Sequence, residues 1–274
     1  MVIESNKTSV RDHIVSRGAT RNVVDNATYS LIIPAFNEEY WLSKSLPAAR
    51  DAMRAVGVPG ELIVVDNNST DATTSVAMKS GAQVVFEPVN QISRARNAGA
   101  RSAAGTYLIF VDADTLLTQA LLQRTLDSLL TNVCCGGGTL VTMDGGPETG
   151  IAKRLFMSVV RLGQWQHFAA GCFMFCRADA FTDIGGFSER VFATEEFWFA
   201  LKLKKCGRKK QMPFELLEDI SVVTSSRKFD DPYSLAKMLM VVLVPFAIFF
   251  RSTCRFWYKR TDLPGVVNDT EPGG

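Results

Sequence analysis

Short apolar runs, separated by longer segments of mixed character, dominate the first half of the chain. The runs are rich in β-branched and aromatic residues, which predicts buried strands at residues 30–33, 61–65, 83–86 and 107–111. The segments between them carry apolar residues at helical spacing, which predicts helices at residues 39–56, 72–80 and 92–104. Strands that alternate with helices in this way indicate an α/β fold, with a doubly wound, mostly parallel sheet and flanking helices.

Polar residues follow the predicted strands at the point where each strand ends. Pro34 follows the first strand, where we expect the missing N–H to stop strand pairing, and Glu38 comes shortly after it. Asp66 opens a polar loop after the second strand, and the Ser, Thr and Asp residues of this loop are candidate N-caps for the next helix. Ligands of doubly wound sheets bind beyond the carboxyl ends of the strands. We therefore expect these side chains to converge on one crevice.

Asp112 and Asp114 stand where the apolar run 107–111 ends. Two carboxylates next to a buried strand are costly to leave unpaired, and a divalent cation on a diphosphate is one natural partner for them. The alternative is that Asp112 caps a turn and Asp114 caps a helix that starts near Leu116. Capping is the simpler explanation of an isolated pair, but the expected convergence with Glu38 and Asp66 favours the cation.

Composition narrows the class of protein. At 274 residues, with 47% hydrophobic and 21% charged residues, the chain can form one large α/β domain or two small ones. A net charge of +2, without a basic stripe interleaved with aromatic residues, argues against a nucleic-acid partner. The six cysteines lack paired zinc spacing, which predicts buried free thiols, a reducing compartment and hence a cytoplasmic location.

Several motifs, in order, resemble those of family-2 glycosyltransferases of the GT-A fold. They are PAFNEE at 34–39, VVDNNSTDAT at 64–73, ARNAGA at 95–100, FVDADT at 110–115, GCFMF at 171–175, DIGGFSE at 183–189 and TEE at 194–196. The resemblance covers about residues 29–210. It implies transfer of a sugar from a nucleotide-diphosphate sugar to a hydroxyl acceptor, with inversion by one direct displacement and with Mg²⁺ or Mn²⁺ as cofactor.

The resemblance also implies roles for single residues. Pro34, Ala35 and Glu38 match the loop that holds the nucleobase and ribose, Asp66 the acid that contacts the base, and Asp112 and Ala113 the residues beside the ribose and diphosphate. Asp114 matches the metal ligand, with Asp112 beside it in the same acidic pair. Arg96 and Asn97 match a helix motif near the nucleotide. Two alternatives remain open: Arg96 pairing on the helix surface, and Asp66 supporting its own loop.

Glu195 and Glu196 stand where this family usually has Glu-Asp, and the second acid of that pair is the general base. Glu196 therefore matches the base, although its side chain is longer than aspartate by one methylene. A base must come within about 2.6–3.2 Å of the hydroxyl proton that it removes, so the geometry must adjust. Glu195 as the base, or a solvated loop acid, is the alternative.

The second half of the chain offers weaker signals. Gly136, Gly137 and Gly138 resemble a phosphate cradle but lack the Lys-Ser/Thr of a P-loop, so close backbone packing or acceptor access is the better interpretation. Apolar spacing predicts an amphipathic helix at 151–166, with His167 beyond it as a hydrogen-bonded structural residue. Trp165 and Trp198 pack in the core or line an acceptor site.

The pattern divides the chain into four parts. Residues 1–28 form a polar N-terminal arm without the apolar stretch of a signal peptide, and residues 29–230 form the GT-A domain. Residues 231–262 are first apolar, then basic and aromatic, and residues 263–274 form a frayed tail. The apolar run 238–250 is shorter than the roughly 20 residues of a spanning helix. The basic and aromatic residues that follow this run predict peripheral contact with an anionic membrane surface. The alternative is a helix that closes the core or makes a homodimer contact.

The acceptor is the least determined partner. The resemblance is compatible with a glycan or glycolipid acceptor, as in polysaccharide or glycolipid biosynthesis. A polyisoprenyl phosphate is the alternative that the basic, aromatic tail favours, because such an acceptor is already anionic and needs little help from a base. A non-catalytic protein that binds nucleotide-sugars is the alternative from another class, since Glu replaces Asp at the base position.

Overall fold

The computed structural model describes residues 27–144 and 171–225. In the first half the predicted alternation is confirmed, and no end of a predicted element shifts by more than two residues. The elements are β1 Tyr29–Ala35, α1 Glu39–Val56, β2 Gly60–Asp66, α2 Thr73–Lys79, β3 Gln83–Phe86, α3 Ile92–Ser102 and β4 Tyr107–Val111.

The second half adds strands and helices that the sequence pattern left undefined. They are β5 Thr115–Leu116, α4 Gln119–Leu130, β6 Gly136–Asp144, β7 Phe173–Arg177, α5 Ala178–Asp183, α6 Glu195–Lys210 and β8 Phe214–Ser225. The strands form one sheet in the order β3-β2-β1-β4-β7-β6-β8-β5. Strands β1 to β4 are parallel, as predicted, and β7 is antiparallel to both of its neighbours, β4 and β6.

Apolar side chains cover both faces of this sheet. Leu31 and Ile33 of β1 point to the face covered by α1, α2 and α4, whereas Ile32 points to the face covered by α3, α5 and α6. Successive residues of a strand point to opposite faces, so a strand buried on both faces must be apolar throughout. Each such side chain contributes about 1.5–3 kcal/mol when fully buried. This explains why the strands read as continuous apolar runs in the sequence.

The prediction that Pro34 stops strand pairing is wrong on one side of β1. Pro34 and Ala35 pair with Val65 and Asp66 of β2, while the pairing with β4 ends at Ile32. Ala35 accepts a hydrogen bond from the Asn67 N–H on the β2 side at 2.8 Å. Alternate residues of a strand between two parallel neighbours bond to opposite sides, so the missing N–H of Pro34 faces the side where pairing has already ended.

The alternative that made Asp114 a helix cap is also wrong. Thr115 and Leu116 form the short strand β5, which pairs with Thr224 and Val223 of β8. Helix α4 begins only at Gln119, and the Thr118 hydroxyl caps it by accepting from the Leu121 N–H at 3.2 Å. Asp114 therefore lies before a strand rather than before a helix.

The cap of α2 differs from the expectation in position. The N-cap residue is Ala72, which has no side-chain acceptor. Asp71, one residue earlier, accepts from the Thr73 N–H at 3.0 Å, and Glu39 of α1 accepts from the Ala72 N–H at 2.9 Å. One of the two acceptors therefore comes from the loop, as predicted, and the other from a different helix.

The triple glycine packs against its neighbour strands rather than around a phosphate. A Cβ at Gly137 would lie 1.9 Å from the Glu215 carbonyl oxygen, and one at Gly136 would lie 2.4 Å from the Phe175 carbonyl oxygen. The prediction of close backbone packing is confirmed. The cysteines of the described ranges are free thiols, as predicted, and those that are buried are Cys134, Cys135 and Cys176.

Several predictions fall on residues that the structure does not describe. They concern the arm at residues 1–26, the helix at 151–166, Trp165, His167 and the segments beyond residue 225. Over residues 27–144 and 171–225, none of the helices has the length and apolar character that crossing a membrane requires.

Candidate active site

The loops after β1 and β2 are joined side by side at the carboxyl edge of the sheet. Ala35 is paired with Asp66 in the sheet register, so Pro34 and Ala35 lie next to the second loop. The Glu38 N–H donates to the Thr73 hydroxyl at 2.8 Å, and Glu38 is buried. The structure thus brings together Pro34, Ala35, Glu38 and Asp66, as the convergence argument predicted.

Asp66 supports its own loop with both carboxylate oxygens. Oδ1 accepts from the Ser69 N–H at 2.8 Å, and Oδ2 accepts from the Thr74 hydroxyl at 2.6 Å. These contacts match the structural alternative. A carboxylate has about four acceptor sites, so they do not use up the capacity of Asp66 to accept from a ligand. Contact with a nucleobase stays a prediction.

The loop Asp112–Asp114 is fixed mainly through its backbone. The Asp112 N–H donates to the Cys172 carbonyl at 3.0 Å, and the Asp112 carbonyl accepts from the Thr115 N–H at 3.0 Å. The Ser45 hydroxyl of α1 donates to the Ala113 carbonyl at 2.7 Å. The two carboxylates are therefore carried by a rigid turn directly beyond the central strand β4.

Thr224 of β8 contacts the second aspartate and was missed by sequence reasoning. Its hydroxyl lies 3.4 Å from Asp114 Oδ1 and accepts from the Thr115 hydroxyl at 3.1 Å. The only signal for this contact is the pairing of β5 with β8, which is not visible in the sequence pattern.

Arg96 of α3 is the central polar side chain of the site. One guanidinium nitrogen donates to Glu195 Oε1 at 2.9 Å, and the other donates at 2.9 Å both to Asp112 Oδ1 and to the Gly171 carbonyl. Its side chain is 3% exposed, so it pairs in the interior and not on the helix surface. Burial opposes the charge, but the carboxylates of Asp112 and Glu195 raise the pKa of Arg96 above its ordinary value. Arg96 is therefore a buried cation.

The two adjacent glutamates at the start of α6 have different surroundings. Glu195 is buried against Arg96, whereas Glu196 is half-buried and lies beside Gly171. Burial, together with the negative charge of Glu196, raises the pKa of Glu195 to about 8, and the Arg96 guanidinium counteracts this shift. Of the two, Glu196 is the acid that is partly open to solvent.

Asn97 joins α3 to the segment that leads into α6. Its side-chain oxygen accepts from the Phe187 N–H at 3.0 Å, and its amide nitrogen donates to the Phe187 carbonyl and to Glu189 Oε1, each at 3.0 Å. Gln91 donates to the carbonyls of Glu189 and Val191, each at 2.9 Å. These contacts hold residues 187–191, which lead towards α6, against α3.

Trp198 lies at the surface of α6. It is 42% exposed and packs edge-on against Phe197, which is 41% exposed, with ring centroids 5.7 Å apart. The interpretation of Trp198 as a core residue is therefore wrong. Its role in an acceptor site stays a prediction.

Asp112 and Asp114 suit a hard divalent cation in the type of ligand that they offer. Over the described part of the chain, no group of three or more His, Cys, Asp or Glu side chains is arranged to hold a metal. Magnesium, however, is often bound by only one or two carboxylates together with substrate phosphates. Two acidic side chains on one rigid turn fit that arrangement.

Comparisons with known proteins identify the family and the fold of the chain. A family model described as "Glycosyl transferase family 2" matches residues 30–185, which is more than half of the chain. The chain belongs to glycosyl transferase family 2. The matched region contains the loops after β1, β2 and β4, Arg96 and Gly171.

One similar relative is an uncharacterised glycosyltransferase of Mycobacterium tuberculosis (strain ATCC 25618 / H37Rv). It is 40% identical over 85 residues, which cover 31% of this chain and 36% of the relative. The match thus spans about a third of that relative's length. It supports family membership and leaves the acceptor undefined.

Two solved structures share the fold at low sequence identity. The mannosyltransferase PcManGT from Pyrobaculum calidifontis, in complex with GDP-Man and Mn²⁺, has a TM-score of 0.58 at 18% identity and covers 86% of this chain and 66% of its own. Glucosyl-3-phosphoglycerate synthase from Mycobacterium tuberculosis, in complex with Mn²⁺, UDP and glucosyl-3-phosphoglycerate, has a TM-score of 0.53 at 20% identity, with 84% and 81% covered. Together with the family match, they confirm the predicted GT-A fold.

Proposed function

We propose that this protein transfers a sugar from a nucleotide-diphosphate sugar to a hydroxyl acceptor, with inversion and with the help of a divalent cation. The observation that carries the proposal is the position of Arg96. It contacts Asp112 on one side and Glu195 on the other, at 2.9 Å each. The guanidinium thereby joins one acid of the pair suited to a diphosphate-bound cation to one acid of the pair suited to a base.

The donor side of the site consists of the loops after β1, β2 and β4. Pro34, Ala35, Glu38 and Asp66 form the wall on which the nucleoside would lie, and Asp112 and Asp114 would hold the cation. When bound, the cation supplies positive charge that offsets the charge developing on the leaving diphosphate. The bonds to the backbone of the Asp112–Asp114 turn fix the chain that carries the two carboxylates.

The acceptor side is formed by the start of α6. Glu195 is bonded to Arg96 and buried, so it is poorly placed to meet an incoming hydroxyl. Glu196 is more accessible and carries the carboxylate that would accept the acceptor proton while the hydroxyl oxygen attacks the anomeric carbon. One direct displacement of this kind inverts the anomeric configuration.

The solved structures support a nucleotide-sugar donor and a divalent metal. PcManGT was crystallised with GDP-Man and Mn²⁺, and the glucosyl-3-phosphoglycerate synthase with UDP and Mn²⁺. These ligands belong to those proteins, and the identity to them is below 25%. They define the panel of donors to try.

A thermal-shift panel of UDP-, GDP- and dTDP-sugars, with and without Mn²⁺, tests the donor side. A ligand at 100 times its Kd stabilises a protein by about 2.7 kcal/mol, so the correct donor should raise the Tm clearly and only with metal. No shift with any of these donors in the presence of Mn²⁺ would contradict the proposal. Donor binding without any turnover, whether to water or to an acceptor, would favour the non-catalytic alternative.

The polyisoprenyl-phosphate alternative keeps one specific observation in its favour. The sequence 251–260 combines Arg251, Arg255, Lys259 and Arg260 with Phe256, Trp257 and Tyr258, which suits a lipid interface. Turnover with a lipid phosphate but not with a soluble sugar would favour this acceptor. Because a phosphate acceptor is already anionic, that turnover should survive Glu196→Gln.

A further inference from the structure

Gly171 leaves room for the side chain of Glu196. A Cβ built on Gly171 would lie 2.8 Å from Glu196 Cγ and 2.9 Å from Cδ, closer than real Cβ atoms come to other heavy atoms. Any side chain at position 171 would therefore force the glutamate to move. The two residues are neighbours in space although they belong to separate elements, the turn before β7 and the first turn of α6.

The backbone of Gly171 does not itself require glycine. Gly171 is not among the described residues with positive φ, so alanine is compatible with its conformation. The three nearest atoms that an alanine would meet all belong to one flexible, half-buried side chain, that of Glu196. The space at Gly171 is thus occupied by the Glu196 side chain.

Arg96 is hydrogen-bonded both to the turn at Gly171 and to the start of α6. It donates to the Gly171 carbonyl at 2.9 Å and to Glu195, the residue before Glu196, at 2.9 Å. Its guanidinium also lies 5.1 Å from the centre of the Phe187 ring. A buried, three-fold bonded guanidinium has little freedom, so it sets the distance between the turn at Gly171 and the start of α6.

We propose that Gly171 and Arg96 are positioning residues that place the Glu196 carboxylate for proton transfer, and this rests on the function proposed above. A general base must come within about 2.6–3.2 Å of the proton that it takes. A misplacement of about 1 Å can cost about 10²-fold in rate. Gly171 provides the space, and Arg96 holds both sides of it.

Gly171→Ala is the sharpest test, because this change leaves Asp112 and Asp114 untouched. We expect a loss of about 10²-fold in kcat, a donor Kd within about two-fold of the wild-type value and an almost unchanged Tm. The substrate is the UDP- or GDP-sugar with the largest thermal shift, and the readout is nucleoside diphosphate released with Mn²⁺ and water as acceptor.

The same change in a Glu196→Gln background shows whether the effect passes through Glu196. Residues that act as a unit are strongly non-additive, so Gly171→Ala should cost little further rate once the base is gone. Full activity of the single variant, or an equal additional loss in the double variant, would overturn the inference. A crystal structure of Gly171→Ala in which Glu196 keeps its position would overturn it as well.

Two further variants separate this inference from the proposed function. Glu196→Gln should lower kcat by roughly 10²–10⁴ with nearly unchanged donor affinity, and normal turnover would reject Glu196 as the base whatever Gly171→Ala does. Arg96→Lys should lower kcat and also weaken Mn²⁺-dependent donor binding, because Arg96 holds Asp112 too. Wild-type kcat in Arg96→Lys would exclude Arg96 from the positioning role.

Discussion

Side chains of the same chemical type have different roles at this site because of their partners. Asp66 accepts two bonds from its own loop, whereas Asp112 is bonded to a buried guanidinium. Glu195 is an internal partner of Arg96, and Glu196 beside it is accessible. The contacts therefore distinguish the surroundings of these four acids, which the family motifs alone do not describe.

Asp114→Asn tests the metal at the residue scale. We expect donor binding to lose its dependence on Mn²⁺ while the fold stays intact, because the carboxylate's charge serves the cation and the turn is held by backbone bonds. Thermal shifts with the chosen nucleotide-sugar, at several Mn²⁺ concentrations, measure this effect. Glu218→Gln, at an exposed acid of β8, is a control that should behave like the wild type. Unchanged metal dependence in Asp114→Asn would contradict the metal assignment.

The pKa of Glu195 predicts a pH effect on stability. Because burial and Glu196 raise this pKa from 4.5 to about 8, the folded protein keeps a proton that the unfolded chain releases. The free energy of unfolding of the wild type should therefore decline as the pH rises from 4.5 to 8. The comparison is with Glu195→Gln, whose side chain at position 195 has no proton to lose in this range. The difference between the two proteins in free energy of unfolding, from urea titrations at pH 5, 6.5 and 8, measures it.

The slope of the free energy of unfolding against pH, rather than its absolute value, is the informative quantity, because Glu195→Gln also alters the hydrogen bond with Arg96. Asp51→Asn, which changes an exposed acid of α1, is the control. Its free energy of unfolding should change with pH in the same way as that of the wild type. Parallel curves for the wild type and Glu195→Gln would show that Glu195 is ionised throughout.

At the scale of elements, α3 organises the site by bonding to parts of the chain that lie far away in sequence. Arg96 reaches the start of α6, and Asn97 and Gln91 hold residues 187–191, which lead into it. Contacts from α3 therefore hold both the first residue of the acid pair and the segment that leads into it. The left-handed conformation of Thr194, with φ of 60°, shows that the entry to α6 is constrained.

Asn97→Ala tests this support. The change leaves the buried N–H and carbonyl of Phe187 without their partners, and each orphaned group costs about 1–3 kcal/mol. We expect a loss of roughly 2–6 kcal/mol in the free energy of unfolding, measured by urea denaturation. Gln119→Ala, at an exposed position of α4, should change it by less than about 0.5 kcal/mol. An equally small effect of Asn97→Ala would show that residues 187–191 keep their conformation without the hydrogen bonds of Asn97.

At the scale of the whole molecule, the question is what residues 238–260 meet. Their sequence predicts binding to anionic vesicles at low salt, and release as salt shortens the screening length to about 8 Å near 0.15 M. Sedimentation with phosphatidylglycerol vesicles, and with neutral phosphatidylcholine vesicles as control, measures it. Replacement of Arg251, Arg255, Lys259 and Arg260 by Gln should abolish the salt-sensitive part.

Binding that persists at high salt would point to insertion of the apolar run. Absence of sedimentation with either vesicle would assign the segment to core closure or to a homodimer contact. The division into an arm at 1–28, a catalytic domain at 29–230, the segment 231–262 and a tail at 263–274 stays a prediction that these experiments address in part.

The sequence by itself determined the first four strands, the helices between them and the edge at which the acids gather. These features follow from local periodicity and from the rule that parallel strands present their carboxyl ends together, so nearby residues are enough to predict them. The family motifs added the candidate roles of the acids.

Only the tertiary structure decided which acid meets which partner. Arg96 and Glu195 are 99 residues apart, Asp114 and Thr224 are 110 apart, and the antiparallel strand β7 separates β4 from β6. A buried charge must find a partner wherever the folded chain brings one, and no local pattern encodes that choice. The space for Glu196 has the same origin, because it exists only where the turn at Gly171 meets the first turn of α6.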